Sequence, residues 1–166
     1  MNEAAAPPVT PADFRATLGL FLSGVTVVAA RDPASGEPHG MTASAFISVS
    51  LAPPLVLVSV DKKAHAHRIL AAAGHYGVSF LAEGNDQLAM HYAGRPGADT
   101  AGRFVEQGGQ PILEGALAWL ACRIVDAHDA GDHTLYIGEV QALGRADGAH
   151  KPLGYFAGKF RTLAGG

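Results

Sequence analysis

The chain has 166 residues, 48% of them apolar and only 16% charged, and its formal net charge is −3. That composition excludes an intrinsically disordered chain, and the slight acidity excludes the basic footprint of a nucleic-acid binder. The length suits one domain with a real core, and the scarcity of charge favours self-association or a substantial ligand pocket.

Residues 1–9 are Ala- and Pro-rich and read as a mobile segment, leaving 10–166 as the single domain. Thr10-Pro11-Ala12-Asp13 starts a helix, with Thr10 as N-cap and Pro11 at the first helical position. Phe14, Leu18, Phe21 and Leu22 recur at helical spacing, and Gly24 is the expected helix end. Gly24 to Ala30 is β-branched and reads as a strand. Asp32-Pro33-Ala34-Ser35-Gly36 is a turn that should pair this strand with the next as a hairpin.

That next stretch, His39 to Ser50, has two unlike faces at period 2. Met41, Ala43, Ala45, Ile47 and Val49 form an apolar row suited to a core. Thr42, Ser44, Ser48 and Ser50 form a row of hydroxyls interrupted by Phe46. No charge falls between Gly40 and Leu51; small residues let a ligand approach the backbone closely, and hydroxyls can donate to a phosphate or a carbonyl. A ligand face and a Ser-rich solvated face both remain open on the pattern alone.

Leu55 to Val60 is a third strand, apolar on both faces and therefore central or barrel-like. Asp61 to Ala73 carries helical signals, Tyr76 to Ala82 is a fourth strand, and Asn85 caps a short helix to Ala93. Gly94 to Gly115 reads as a long excursion with one turn near Arg103-Phe104-Val105. Leu117–Asp126 and Thr134–Leu143 are the last long strands, joined by Ala127 to His133, and Leu153 to Leu163 closes the chain. Strands without alternating helices predict a mainly β protein, an antiparallel barrel with added short helices.

Asp61-Lys62-Lys63-Ala64-His65-Ala66-His67-Arg68 crowds basic side chains at a strand-to-helix junction. Unpaired amides and the positive end of the helix dipole suit an anion there, while surface lysines at an ordinary helix start are the plainer reading. His65 and His67 point apart at a helix start, and no Cys pair, His-Glu-x-x-His or carboxylate cluster completes a metal site, so no metal is expected. Gly131-Asp132-His133 offers a tight turn, a carboxylate that can orient the ring, and a histidine at a strand entrance. Cys122, the one cysteine, reads as inert core. With no apolar run of membrane-spanning length and no signal-peptide pattern, a reducing cytoplasmic setting and no membrane partner are expected.

Five segments in order carry a resemblance: Gly24-Val25-Thr26-Val27-Val28; His39-Gly40-Met41-Thr42-Ala43-Ser44-Ala45-Phe46; Ser50-Leu51-Ala52-Pro53-Pro54-Leu55-Val56; Gly131-Asp132-His133; and Gly154-Tyr155-Phe156-Ala157-Gly158-Lys159-Phe160-Arg161. Together they resemble the short-chain flavin reductases, the NAD(P)H:flavin oxidoreductase components of two-component monooxygenases, from about Phe14 to Leu163. The resemblance implies a split β-barrel of antiparallel Greek-key type and a homodimer binding FMN, or FAD in some members. It implies that Thr42, Ala43, Ser44 and Ala45 line the flavin, that Ser59, Val60, Asp61, Lys62, Lys63, Ala64 and His65 run beside its phosphate, and that Tyr155 lies near the ring. Gly131, Asp132 and His133 match the motif on the nicotinamide side.

Family members often carry hydroxyl residues just after the basic phosphate residue, whereas Ala64, His65, Ala66 and His67 stand here. The phosphate is therefore expected on Lys62, Lys63 or backbone amides. The implied reaction passes hydride from nicotinamide C4 of NADH or NADPH to flavin N5, and reduced flavin goes to a partner monooxygenase. It needs no general base, so His133 is the positioning and electrostatic group of the catalytic site. A non-catalytic FMN carrier or sensor of the same fold is the alternative, and a cofactor-free structural dimer the third reading.

Overall fold

The computed structural model describes residues 8–95, 97, 101–148 and 151–163. The expected mobility over 1–9 concerns mostly residues 1–7, which lie outside the described ones. Among these residues three helices, α1 (Pro11–Leu18), α2 (His65–Ala73) and α3 (Asp86–Tyr92), accompany twelve strands. Seven strands form the main sheet: β2 (Thr26–Arg31), β3 (Pro38–Ala43), β4 (Phe46–Leu51), β5 (Pro54–Asp61), β6 (His75–Phe80), β9 (Ala118–Ala130) and β10 (His133–Arg145). Their order is β3-β2-β6-β9-β10-β5-β4, and every pairing is antiparallel. A smaller sheet joins β1 (Ser23–Gly24), β11 (Leu153–Phe156) and β12 (Lys159–Thr162), and β7 (Phe104–Gln107) pairs with β8 (Gln110–Leu113).

The two ends of the main sheet are β3 and β4, yet only Ser44 and Ala45 separate them in the chain. So short a link spans roughly 10 Å at full extension, so the sheet must curl until its edges meet. The Ser59 amide donates to the Ala45 carbonyl at 3.0 Å beside this seam. The predicted barrel is therefore present. Its interior holds Val28, Ala30, Val56, Val58, Val60, Tyr76, Val78 and Tyr136, with Ile69 and Leu70 of α2 packed among them. A second cluster of Val25, Val27, Leu81, Ala89, Leu113 and Leu153 lies on the other face of β2, beneath α3.

The seam also overturns one sequence expectation. Ala43 is buried, but Ala45, Ile47 and Val49 are exposed, and Phe46 turns inward against Phe80 with ring centroids 5.6 Å apart. Two residues outside either strand shift the alternation by one, which swaps the faces. The single row from Met41 to Val49 is thus two rows on two strands.

Other boundaries move for local reasons. Thr10 caps α1 as expected, accepting from the Asp13 amide at 3.1 Å. The helix stops at Leu18 with Gly19 at its cap, while Gly24 pairs with Gly154 in β1. Phe14, Leu18, Phe21 and Leu22 remain exposed, and α1 buries none of its residues. Asn85 holds the N-cap position of α3 without a side-chain capping bond. The long excursion contains the β7–β8 hairpin, whose turn residues Gly108 and Gly109 both have positive φ, at 58° and 77°. That is the geometry of a primed two-residue turn, and the Gly-Gly pair is its sequence signal. No helix among the described residues is long and apolar enough to cross a membrane.

Candidate functional site

The predicted connector from Ala127 to His133 is mostly strand. His133 pairs with Ala130, and only Gly131 and Asp132 turn the chain. Gly131 has φ of 62°, a left-handed conformation that disfavours a side chain. Asp132 Oδ1 lies 2.8 Å from His133 Nδ1. A carboxylate there can only accept, so Nδ1 carries the proton and Nε2 is left for other partners. The hydrogen bond from His133 is the main cause holding the Asp132 carboxyl below its usual range, aided by the charges of His133 and Lys63.

This turn abuts the segment entering α2, because His133 is paired with Asp61. The Lys62 amide donates to the Asp132 carbonyl at 3.0 Å, and Lys62 Nζ donates to the Gly131 carbonyl at 3.0 Å. Asp61 shapes the entry: its Oδ1 accepts from the Lys63 amide at 2.8 Å and its carbonyl from the Ala64 amide at 2.9 Å. The amides of Lys62, Lys63 and Ala64 are thus engaged within the protein. His65 and Ala66, the first two residues of α2, keep the unpaired amides of a helix start.

Ala64, His65 and Ala66 border a cavity of about 720 Å³. Its other walls are Pro38 to Thr42 of β3, His91 to Gly94 at the end of α3, and Phe104. Gly40 is essential to this packing, since a Cβ there would lie 2.9 Å from the Tyr92 ring and 3.0 Å from Phe104. His39 and His65 meet edge to face with centroids 4.7 Å apart. Burial, then the neighbouring His65, lowers the pKa of His39, against a smaller opposing pull from Asp32.

A second cavity of about 250 Å³ lies beside it, lined by Val25, Thr42, Ser44, Met90, Ala93, Arg95, Tyr155 and Phe160. Thr42 and Ala93 line both cavities and form the wall between them. The Thr42 hydroxyl donates to the Ala89 carbonyl at 2.7 Å, so its single proton is used by α3 and its oxygen can only accept from a ligand.

Thr42, Ser44 and Tyr155 therefore converge, as do Lys62, Lys63, Gly131, Asp132 and His133, and the start of α2 links the two groups. Ala43 and Val60 point into the core and offer only backbone. Ala45 is exposed at the seam, and Ser59 and Asp61 lie on the outward face of β5. Sequence reasoning missed His39, His91, Tyr92 and Phe104, because their meeting depends on α3 and the β7 hairpin folding over β3. Among the described residues no group of three or more His, Cys, Asp or Glu side chains is placed to hold a metal ion.

Residues 18–164 match the family described as flavin reductase-like domain. The chain belongs to that family. It is a flavin reductase, an oxidoreductase. An NADH-dependent flavin reductase from a Rhodococcus species is 46% identical over 158 residues, covering 95% of this chain and 89% of the relative. The reductase component of 4-hydroxyphenylacetate 3-monooxygenase from Thermus thermophilus is 41% identical over 150 residues, covering 90% of this chain and 95% of that protein. The solved flavin reductase PheA2 superposes with a TM-score of 0.88 at 39% identity, covering 95% of this chain and all of the other. As in other small-molecule sites, the flavin reductase cavity lies in the range of roughly 300–1,000 Å³. Aromatic walls beside the open end of a helix dipole, two residues after Lys63, suit a planar ring carrying a phosphate, so the residues present fit a flavin.

Proposed function

We propose that this protein uses NADH or NADPH to reduce free flavin, FMN or FAD, and supplies the reduced flavin to a partner monooxygenase. One observation carries the reading: the Gly131-Asp132-His133 turn is bonded directly to the segment that leads into the cavity-lining start of α2. A nicotinamide site and a flavin site at those two positions would be contiguous, as hydride transfer over about 3–3.5 Å demands.

Flavin supplies the electron-accepting chemistry, taking hydride at N5 from nicotinamide C4. The protein's part is placement. The amides of His65 and Ala66, with Lys63, hold the phosphate end. Ser44 and the backbone from Thr42 to Ala45 border the ring edge near Tyr155. Asp132 fixes the His133 ring in one tautomer, and Nε2 orients the nicotinamide side by hydrogen bonding. No residue need abstract a proton, so a histidine held by an exposed carboxylate is sufficient.

Residues 10–166 act as one flavin-binding unit, and two copies form the working molecule. Support for the dimer comes from Phe14, Leu18, Leu20 and Phe21 around α1, and from Ile47, Val49 and Leu51 on edge strand β4, all exposed. Such a density of large apolar side chains is uncommon on a monomer. A cytoplasmic setting suits the unpaired Cys122 thiol and the supply of reduced nicotinamide.

Mixing the protein with FMN and NADH in air and following the loss of NADH absorbance tests the function. Turnover with excess flavin is expected, and repeats with FAD and NADPH rank the substrates. Oxidation no faster than in the protein-free control would sink the proposal.

A further inference from the structure

Lys62 makes more contacts with the Gly131-Asp132-His133 turn than a phosphate-binding lysine requires. Its amide donates to Asp132 and its ammonium to Gly131, both at 3.0 Å, and Nζ also lies 3.3 Å from Asp129 Oδ1. One residue thereby holds positions 129, 131 and 132 of the hairpin end. The turn has little else to brace it: Gly131 lacks a side chain, and the Asp132 side chain is 84% exposed. Asp129 is secured in turn by Thr134 Oγ1 at 3.4 Å, and Thr134 by His67 Nε2 of α2 at 2.9 Å. Lys62, Asp129, Thr134 and His67 thus form a bracket between α2 and the hairpin tip.

Lys63 is different. Its ammonium makes no hydrogen bond or ion pair among the described residues and senses Asp132 only through space. Of the two adjacent lysines, one is engaged and one is available.

We propose that Lys62 is a positioning residue for His133, holding the nicotinamide-side turn in register, and that the flavin phosphate is left to Lys63 and the start of α2. An ammonium has three donors, and two are directed at Gly131 and Asp129. Drawing it to a phosphate would release the turn, so the two tasks compete. The inference rests on the nicotinamide role of His133 proposed above.

The experiment compares His133→Ala, Lys62→Met, Lys62→Arg and Asp129→Asn in steady-state assays, varying NADH against FMN and against riboflavin, which has no phosphate. His133→Ala tests the underlying reading separately: an unchanged KM for NADH overturns that reading whatever Lys62 does. With the His133 effect established, Lys62→Met is expected to raise KM for NADH on the order of tenfold, the effect of one lost charge-assisted hydrogen bond. The preference for FMN over riboflavin should not change. Lys62→Arg should recover most of the loss, and the double variant with His133→Ala should be no worse than His133→Ala alone.

Asp129→Asn decides between the roles without touching Lys62. It should raise KM for NADH severalfold, on the order of the weakened ion pair. A Lys62 serving phosphate would instead be freed, and KM for FMN would fall. A drop in FMN preference over riboflavin in Lys62→Met, with KM for NADH unchanged, overturns the proposal.

Discussion

Thr42 donates its hydroxyl to the carbonyl of Ala89 at 2.7 Å, fastening β3 to α3 at the wall shared by the two cavities. Thr42→Val keeps the shape and removes the bond. A loss of about 1 kcal/mol is expected, lowering the melting temperature by roughly 2–4 °C. KM for flavin should rise more than KM for NADH. Calorimetry and steady-state kinetics check both halves, and an unchanged flavin KM would show that the wall does not shape the site.

His133→Ala should raise KM for the nicotinamide on the order of tenfold, as for one lost orienting hydrogen bond, and leave flavin affinity almost unchanged. Flavin titration by fluorescence beside NADH kinetics separates the two. Because Nδ1 bonds to Asp132, Asp132→Asn should weaken turnover in the same direction but less, through loss of ring orientation.

Gly138 allows the Tyr76 side chain to reach across the barrel. A Cβ at 138 would lie 2.2 Å from the Tyr76 hydroxyl and 2.7 Å from Cζ. Gly138→Ala should therefore destabilise the fold by about 1–3 kcal/mol. The Tyr76 hydroxyl is buried without a hydrogen-bond partner among the described residues. Burial likewise pushes the adjacent Cys122 thiol up to about 12, so it stays protonated. Tyr76→Phe alone should be neutral or stabilising, and combined with Gly138→Ala it should recover part of the loss, measured by denaturant unfolding.

His39 binds its proton less tightly in the folded chain than its ordinary value of 6.5 implies, chiefly through burial. Below that value the unfolded chain takes up the proton first, so folding stability falls with pH from about 6.5 down to the lowered folded-state value. Above 6.5 the contribution is flat. His39→Gln should flatten this part of the stability profile just below pH 6.5. An identical slope in the variant would assign the pH dependence to other groups.

Phe21 is 76% exposed and Ile47 57% exposed. If these surfaces pair two copies, Phe21→Asp or Ile47→Lys should shift the protein toward monomer in light scattering while the far-ultraviolet circular dichroism stays native. A wild-type protein that is monomeric at micromolar concentration would contradict the dimer.

Local chemistry made much of this protein legible. The Thr10-Pro11 start, the Asp32–Gly36 hairpin, the helix after Asp61 and the Gly131-Asp132-His133 turn all rest on residues close in sequence. Each appears in the structure, with the turn shorter than expected. The Gly108-Gly109 turn is equally local, with its signal embedded in a long polar stretch. The apolar row departs from the core beyond Ala43, because strand alternation carries no information about where one strand ends and the next begins.

The sequence by itself determined the β-rich class, the principal turns and the family segments, since these depend on backbone preference and residue type over a few positions. Tertiary structure decided which faces are buried: closing the barrel through Ser44 and Ala45 reversed the alternation and left Ile47 and Val49 outside. It also decided the division of labour between Lys62 and Lys63, which the sequence presents as equivalent neighbours. Only the pairing of Asp61 with His133, some seventy residues apart, gives one lysine a turn to hold and leaves the other's ammonium without a hydrogen bond among the described residues.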